Sequence, residues 1–466
     1  MKRSLKTEGA FYIAGSIIQK SLSFILIPIY TNYLSASDYG ILNVCSTIAT
    51  IVSIISVMGM DAAVGRFYFE SDLELRKKYL NNIFFLGTFL PFLIGLIAYV
   101  GFFLNSKFIS VAFWPYISLT IFAIPLSGFS SLVSFYFRAK RDAYKFILFQ
   151  LFQFIVQIGL VIVFVVIYKQ GALGKIFGDL IAKGLILCLS ALVFYKLLSF
   201  RFDGNYIKPV LKFALPVIPH ALGWWAMNLS DRLVLQYYFS LSDVGVYSLA
   251  FNFGFIVAVF GEAFNNAFAP YLYEKAGNQS NFISIAVLIK YAIAFFAAIS
   301  LGISFFSLEV INLIAGNSEY KLAINYIPVL SVSFFFINLY TLFTNQLFFI
   351  KKTYLLPIIT FSIGIINLLF KICFGKYIGI LGFTLSTAIF FLIYFLITYI
   401  VSNKLMKFPL ERFIIFLTIF LTILSTTFIA TFSELSLILR ILIFILIFMI
   451  LFVLNYRKGE FKLVNG

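Results

Sequence analysis

Long apolar runs follow one another along nearly the whole chain, each close to the roughly 20 residues that a helix needs to cross a bilayer. Backbone amides find no water inside hydrocarbon, so runs of this length are helices. A membrane β-barrel would show shorter, alternating segments. The expected class is therefore all-α: a polytopic integral membrane protein. Composition agrees, because 62% hydrophobic and 11% charged residues leave more apolar surface than one soluble core can hide.

About fourteen spans are predicted, over 9–33, 40–60, 81–103, 111–134, 147–168, 171–195, 212–238, 244–268, 283–306, 323–347, 354–374, 378–401, 412–431 and 435–455. The first run carries Lys20 and Pro28 and lacks a clear small-residue cleavage site. It reads as a transmembrane helix rather than a signal peptide. With the N-terminus inside, 24 Lys and Arg fall on inner segments and seven on outer ones, the bias expected when both termini are cytoplasmic. The net charge of +17 then reflects basic cytoplasmic loops. Nucleic acid is not an expected partner, because no folded basic surface is present to bind it. Cys45, Cys188 and Cys373 lie far apart in apolar stretches and read as packing residues rather than a disulfide or metal set.

A repeat divides the chain. Ser37, Asp38 and Gly40 after the first span match Ser242, Asp243 and Gly245 after the seventh, with serine and aspartate suited to capping the next helix. Six spans precede the seventh, so the two copies run in the same direction. This predicts two parallel-related six-helix bundles, 1–200 and 201–403, with two further helices and a tail over 404–466.

Polar residues inside apolar spans are the candidate site, because charge in lipid is expensive unless it meets protein or a watery cavity. Asn228, Asp231 and Arg232 share a helical face, with His220 and Trp224 close to it; a structural Asp–Arg contact or an interfacial anchor is the competing reading. Pro216 and Pro219 beside His220 mark a bend. Lys20 near the middle of the first span suits a phosphate contact, with snorkelling as its alternative. Lys183 and Lys290 are weaker candidates, and Asp179 is expected to pair with Lys183 one turn on. Gln150, Gln153 and Gln157 line one face of the fifth span; Asn43, Thr47, Thr50 and Ser53 line the second. Such stripes bind hydroxyl-rich groups or hold helices together. Arg66, after the second span, can steer an anionic headgroup. Walker A, dinucleotide-binding and HExxH patterns are absent from the sequence, so neither a cofactor nor enzymatic chemistry is expected.

Pro28-Ile-Tyr-Thr-Asn-Tyr-Leu-Ser-Ala-Ser-Asp-Tyr-Gly, Gly59-Met-Asp-Ala-Ala-Val-Gly-Arg-Phe-Tyr, Leu215-Pro-Val-Ile-Pro, Ser230-Asp-Arg and Ser242-Asp-Val-Gly-Val-Tyr, in that order, resemble the bacterial polysaccharide biosynthesis and export family. The closer likeness is to Wzx-type O-antigen flippases of the multidrug/oligosaccharidyl-lipid/polysaccharide (MOP) superfamily, over roughly residues 5–455. The resemblance implies a MATE-like fold of two six-helix bundles in the bacterial cytoplasmic membrane. Its implied cargo is undecaprenyl-diphosphate-linked oligosaccharide, moved by alternating access with the polyprenyl tail left among membrane lipids. Arg66, Asp231 and Arg232 match recurrent family positions; Lys20 does not rest on a motif. Polysaccharide polymerase and export machinery are the implied partners, and the coupling cation, Na+ or H+, is not settled by the resemblance. A small-molecule exporter of the same superfamily, a membrane glycosyltransferase or polymerase, and a nonenzymatic envelope scaffold are the alternatives.

Overall fold

The computed structural model describes residues 26–194, 203–432 and 435–455, and the regular elements among them are helical. Lys20 lies outside the described residues. The chain forms two compact units. The first runs to Trp225 and takes in Leu235–Gly245; the second comprises Ala226–Val234 and the chain from Val246 onward.

In the first unit a helical stretch over 26–33 leads to α1 (Ala36–Val57). The short α2 (Met60–Phe67) follows a break at Met58 and Gly59. Then come α3 (Leu73–Leu104), α4 (Ser118–Ala139), α5 (Ala143–Val161), α6 (Gly171–Phe194), α7 (Gly204–Ala214) and most of α8 (Val217–Asn228), which passes into the second unit after Trp225. α4 packs against α1, α2, α3 and α6, and Phe84, Phe129, Leu132, Val133 and Phe146 form part of its core. The narrow break expected near Lys169 falls there, with positive φ at Lys169 and Gly171. α7 and α8 meet at a bend of 42° beside Pro216 and Pro219, where the missing amides interrupt the ladder. The bend agrees with the sequence expectation. The single span predicted over 212–238 is broken again, because α8 ends at Asn228 and α9 (Asp231–Tyr238) begins after a turn.

The second unit holds most of α10 (Leu241–Lys275), with α11 (Phe282–Phe305), α12 (Ser307–Ile314), α13 (Ile327–Phe349), α14 (Leu355–Leu405), α15 (Arg412–Thr431) and α16 (Leu437–Asn455). α13 packs on α11, α14 and α15 and buries Phe334, Phe335 and Phe343. The 51-residue α14 would be about 75 Å long if straight, well over the 30 Å or so of a hydrocarbon core. Gly379, at φ 66° and ψ −179°, breaks it where glycine alone is comfortable. Its two arms correspond to the predicted spans 354–374 and 378–401.

Ten helices among the described residues are long and apolar enough to cross a membrane, eleven if α7 and α8 count as one bent span. The chain is an all-α polytopic membrane protein. The repeat is a matched pair of helix caps, shifted from the serines expected. Ser35, not Ser37, caps α1 and exchanges hydrogen bonds with Asp38. Ser240, not Ser242, does the same with Asp243 at the start of α10. A cap must precede the first turn, which places it three residues before the aspartate. All three cysteines are free; Cys45 is buried as a packing residue is, whereas Cys188 and Cys373 are exposed on helix surfaces.

Candidate functional site

The first unit contains a cavity of about 330 Å³ between α1, α4 and α6, lined by both polar and apolar side chains. Ser46, Thr50 and Ser53 of α1 line one side; Lys175, Asp179 and Lys183 of α6 line another. The three α6 residues recur every four positions, so they form a ladder down one helix face. Lys175 and Asp179 form an ion pair, and Gln157 Nε2 donates to Asp179 Oδ1 at 3.2 Å. The expected Asp179–Lys183 pair is therefore replaced by Asp179–Lys175. An acid with bases four residues before and after it satisfies both spacings equally well, and local packing chooses between them.

The remaining first-unit candidates are spread over several environments. Gln150 is buried and receives a 3.5 Å hydrogen bond from Ser134. Gln157 reaches α6 instead, so one predicted stripe serves two neighbouring helices. Gln153 is half-buried and makes no hydrogen bond among the described residues. Arg66 is exposed and pairs with Glu70 at 3.3 Å. His220 buries its Nδ1 without a partner among the described residues. Trp224 is exposed, whereas neighbouring Trp225 is buried and donates its indole N–H to Thr47 O at 3.1 Å.

Asn228, Asp231 and Arg232 belong to the second unit and are all buried there. Asp231 opens α9, but its partner is not Arg232. Lys371 Nζ of α14 donates to Asp231 Oδ1 at 2.6 Å and to Thr387 Oγ1 at 2.9 Å. Tyr247 OH of α10 donates to Asp231 Oδ2, and Thr387 Oγ1 lies 3.2 Å from the same oxygen. Both charged side chains are fully enclosed. Arg232 turns elsewhere, donating to Asn228 O at 2.5 Å and lying 4.0 Å over the Phe251 ring.

Lys371, Tyr247 and Thr387 escaped the sequence reading. Lys371 is one of the seven basic residues counted on outer segments, although it falls inside the predicted span 354–374. Its burial is legible only by charge matching: a lysine and an aspartate in separate spans each need a counter-charge in lipid. Arg440, another of those seven although it lies in the predicted span 435–455, is buried against Glu309 for the same reason.

Comparison with known proteins places this architecture. The chain resembles a structure titled lipid II flippase MurJ, inward closed conformation, with TM-score 0.74 and 16% identity over 96% of this chain and 99% of that one. It also resembles an inward-facing MATE-family multidrug resistance transporter of the MOP superfamily, with TM-score 0.64 and 14% identity over 83% and 94%. At these identities the likeness is one of fold. Among curated proteins, Lsg locus putative protein 1 of Haemophilus influenzae is 22% identical over 274 residues, covering 57% of this chain and 65% of the relative. An uncharacterized membrane protein of the same organism is 25% identical over 281 residues, covering 58% and 66%. The chain thus spans just under two thirds of the length of these relatives. The family described as polysaccharide biosynthesis protein matches residues 5–276, more than half of the chain, and the chain belongs to that family.

Proposed function

We propose that the protein is a flippase that carries undecaprenyl-diphosphate-linked oligosaccharide units across the bacterial cytoplasmic membrane for surface polysaccharide assembly. The family match over residues 5–276 carries this reading, and the fold shared with a lipid II flippase agrees with it. Buried or cavity-lining charges supply what a polar headgroup needs in lipid. Translocation requires no covalent step. The headgroup passes between leaflets while the polyprenyl tail stays among membrane lipids, and the two bundles alternate access.

The finer architecture belongs to the same reading. Fourteen spans form bundles over 1–200 and 201–403 with two additional helices over 404–466, and both termini are cytoplasmic. The expected headgroup contacts are Lys20, Arg66, Gln150, Gln153, Gln157, His220, Trp224, Asn228, Asp231 and Arg232. A polymerase and the export machinery act downstream, and a Na+ or H+ gradient supplies the driving force.

The test is leaflet-specific accessibility of a lipid-linked oligosaccharide in vesicles containing the purified chain, under separate Na+ and H+ gradients. Transfer above that of protein-free vesicles is expected, and its absence under both gradients rejects the reading. Combined Lys20→Ala and Arg232→Ala substitution should slow transfer. Unchanged transfer removes those two residues from the headgroup path.

A further inference from the structure

The α6 ladder is not electrically uniform. Lys175 and Asp179 neutralise each other, whereas Lys183 makes no hydrogen bond or ion pair among the described residues. Lys183 also sits midway along the 24-residue α6; if α6 spans the bilayer as the sequence predicts over 171–195, that is the depth at which a lysine costs most, roughly 2.5–3.5 kcal/mol on insertion scales. A cation that opens into a cavity, with no contact partner among the described residues and with Asp179 already bonded to Lys175, is a candidate anion site by its charge.

The facing wall has different chemistry. Ser46 Oγ donates to Asn43 O at 3.0 Å, and Thr50 Oγ1 donates to Ser46 O at 2.7 Å. Their protons are used within α1, so each hydroxyl keeps lone pairs to accept with. One side of the cavity therefore offers an ammonium, which suits phosphate, and the other offers acceptors, which suit hydroxyl donors. About 330 Å³ is of the order of ten waters by their share of the liquid, room for a polar group rather than a single ion.

We propose that this cavity is a glycosyl-phosphate subsite, in which Lys183 binds the phosphate and Ser46 and Thr50 accept from hydroxyls of the attached sugar. Asp179 sets its strength by holding the charge of Lys175 out of use. The lipid source of the ligand rests on the flippase reading; the anion and hydroxyl chemistry does not.

Binding is measured on the full chain in nanodiscs with three probes: undecaprenyl diphosphate bearing one N-acetylhexosamine, undecaprenyl diphosphate alone, and inorganic pyrophosphate. Lys183→Gln should weaken the glycosylated lipid about tenfold or more, the range of one charged hydrogen bond, and Lys183→Arg should restore most of it. Asp179→Asn should tighten all three probes by releasing Lys175, a gain that mere loss of a structural contact does not produce. Combined Ser46→Ala and Thr50→Ala should weaken only the glycosylated probe. Unchanged binding by Lys183→Gln, weaker binding by Asp179→Asn, or pyrophosphate bound as tightly as the glycosylated lipid overturns the assignment. Normal wild-type transport with unchanged Lys183→Gln binding rejects the subsite and keeps the flippase. The expected binding pattern without any transport does the reverse.

Discussion

Gly40 and Gly245 face each other where α1 and α10 cross in the first unit. A Cβ on Gly40 would lie 1.8 Å from Leu241 O, and one on Gly245 would lie 1.9 Å from Ala36 O. The contact is reciprocal, since each glycine meets the carbonyl four residues before its repeat partner. Two copies of one capped helix start thus meet as a local twofold would place them, and the absence of side chains lets the backbones touch.

That crossing predicts a matched pair of defects. Gly40→Ala and Gly245→Ala should each destabilise by about 1–3 kcal/mol or more, because the obstacle is backbone and cannot rotate away. Gly159→Ala, where a Cβ would meet nothing within 4 Å, should leave stability unchanged or raise it through helix propensity. Thermal unfolding in detergent distinguishes the three. Similar melting for all of them would mean that the crossing can relax.

The two aspartate caps should not be equivalent. Asp38 closes the box with Ser35 and also accepts from Ala172 N at 3.1 Å, tying the start of α6 to α1. Among the described residues Asp243 closes only its own box with Ser240. Asp243→Ala should cost about 1 kcal/mol, the usual worth of a cap. Asp38→Ala should cost about 1 kcal/mol more for the added bond. Equal melting shifts would show that the Ala172 contact contributes nothing.

How much of this was legible follows the range of each interaction. Apolar spans, the bend at Pro216 and Pro219 and the repeated aspartate–glycine spacing are set by neighbours in sequence; the bend and the spacing appear in the fold, and ten or eleven of the spans appear as long helices among the described residues. Partner choice is not local. Nothing near Asp231 in the chain announces Lys371, 140 positions away, and the competing Asp231–Arg232 contact is not the one made. The cavity was half visible: Thr50 and Ser53 stood out as a stripe, but only packing brings them opposite α6.

The Asp231–Lys371 pair should behave as an enclosed pair does. Both side chains are fully buried, so Asp231→Asn or Lys371→Met alone leaves an uncompensated charge and should cost about 3–5 kcal/mol. The double variant removes both charges and should be markedly more stable than the sum of the single effects predicts. A double-mutant cycle on chemical unfolding checks this. Additive losses would mean that each charge is already satisfied by Tyr247, Thr387 or other neighbours.

Arg440 and Glu309 give a pair with unequal halves. The guanidinium is 4% exposed and the carboxylate 32%. Arg440 donates to both Glu309 oxygens, to Phe305 O at 3.1 Å and to Leu435 O at 3.0 Å, joining α16 to α11 and α12. Removing Arg440 strands a carboxylate that water can reach, whereas removing Glu309 strands a cation that it cannot. Glu309→Ala should therefore cost more, about 3 kcal/mol against about 1–2 for Arg440→Ala. Arg440→Lys should recover little of the loss, because an ammonium cannot make the two parallel bonds and also reach both carbonyls. Melting of the three variants in detergent decides the order. A larger loss for Arg440→Ala would mean that the carbonyl contacts, not the ion pair, hold α16 in place.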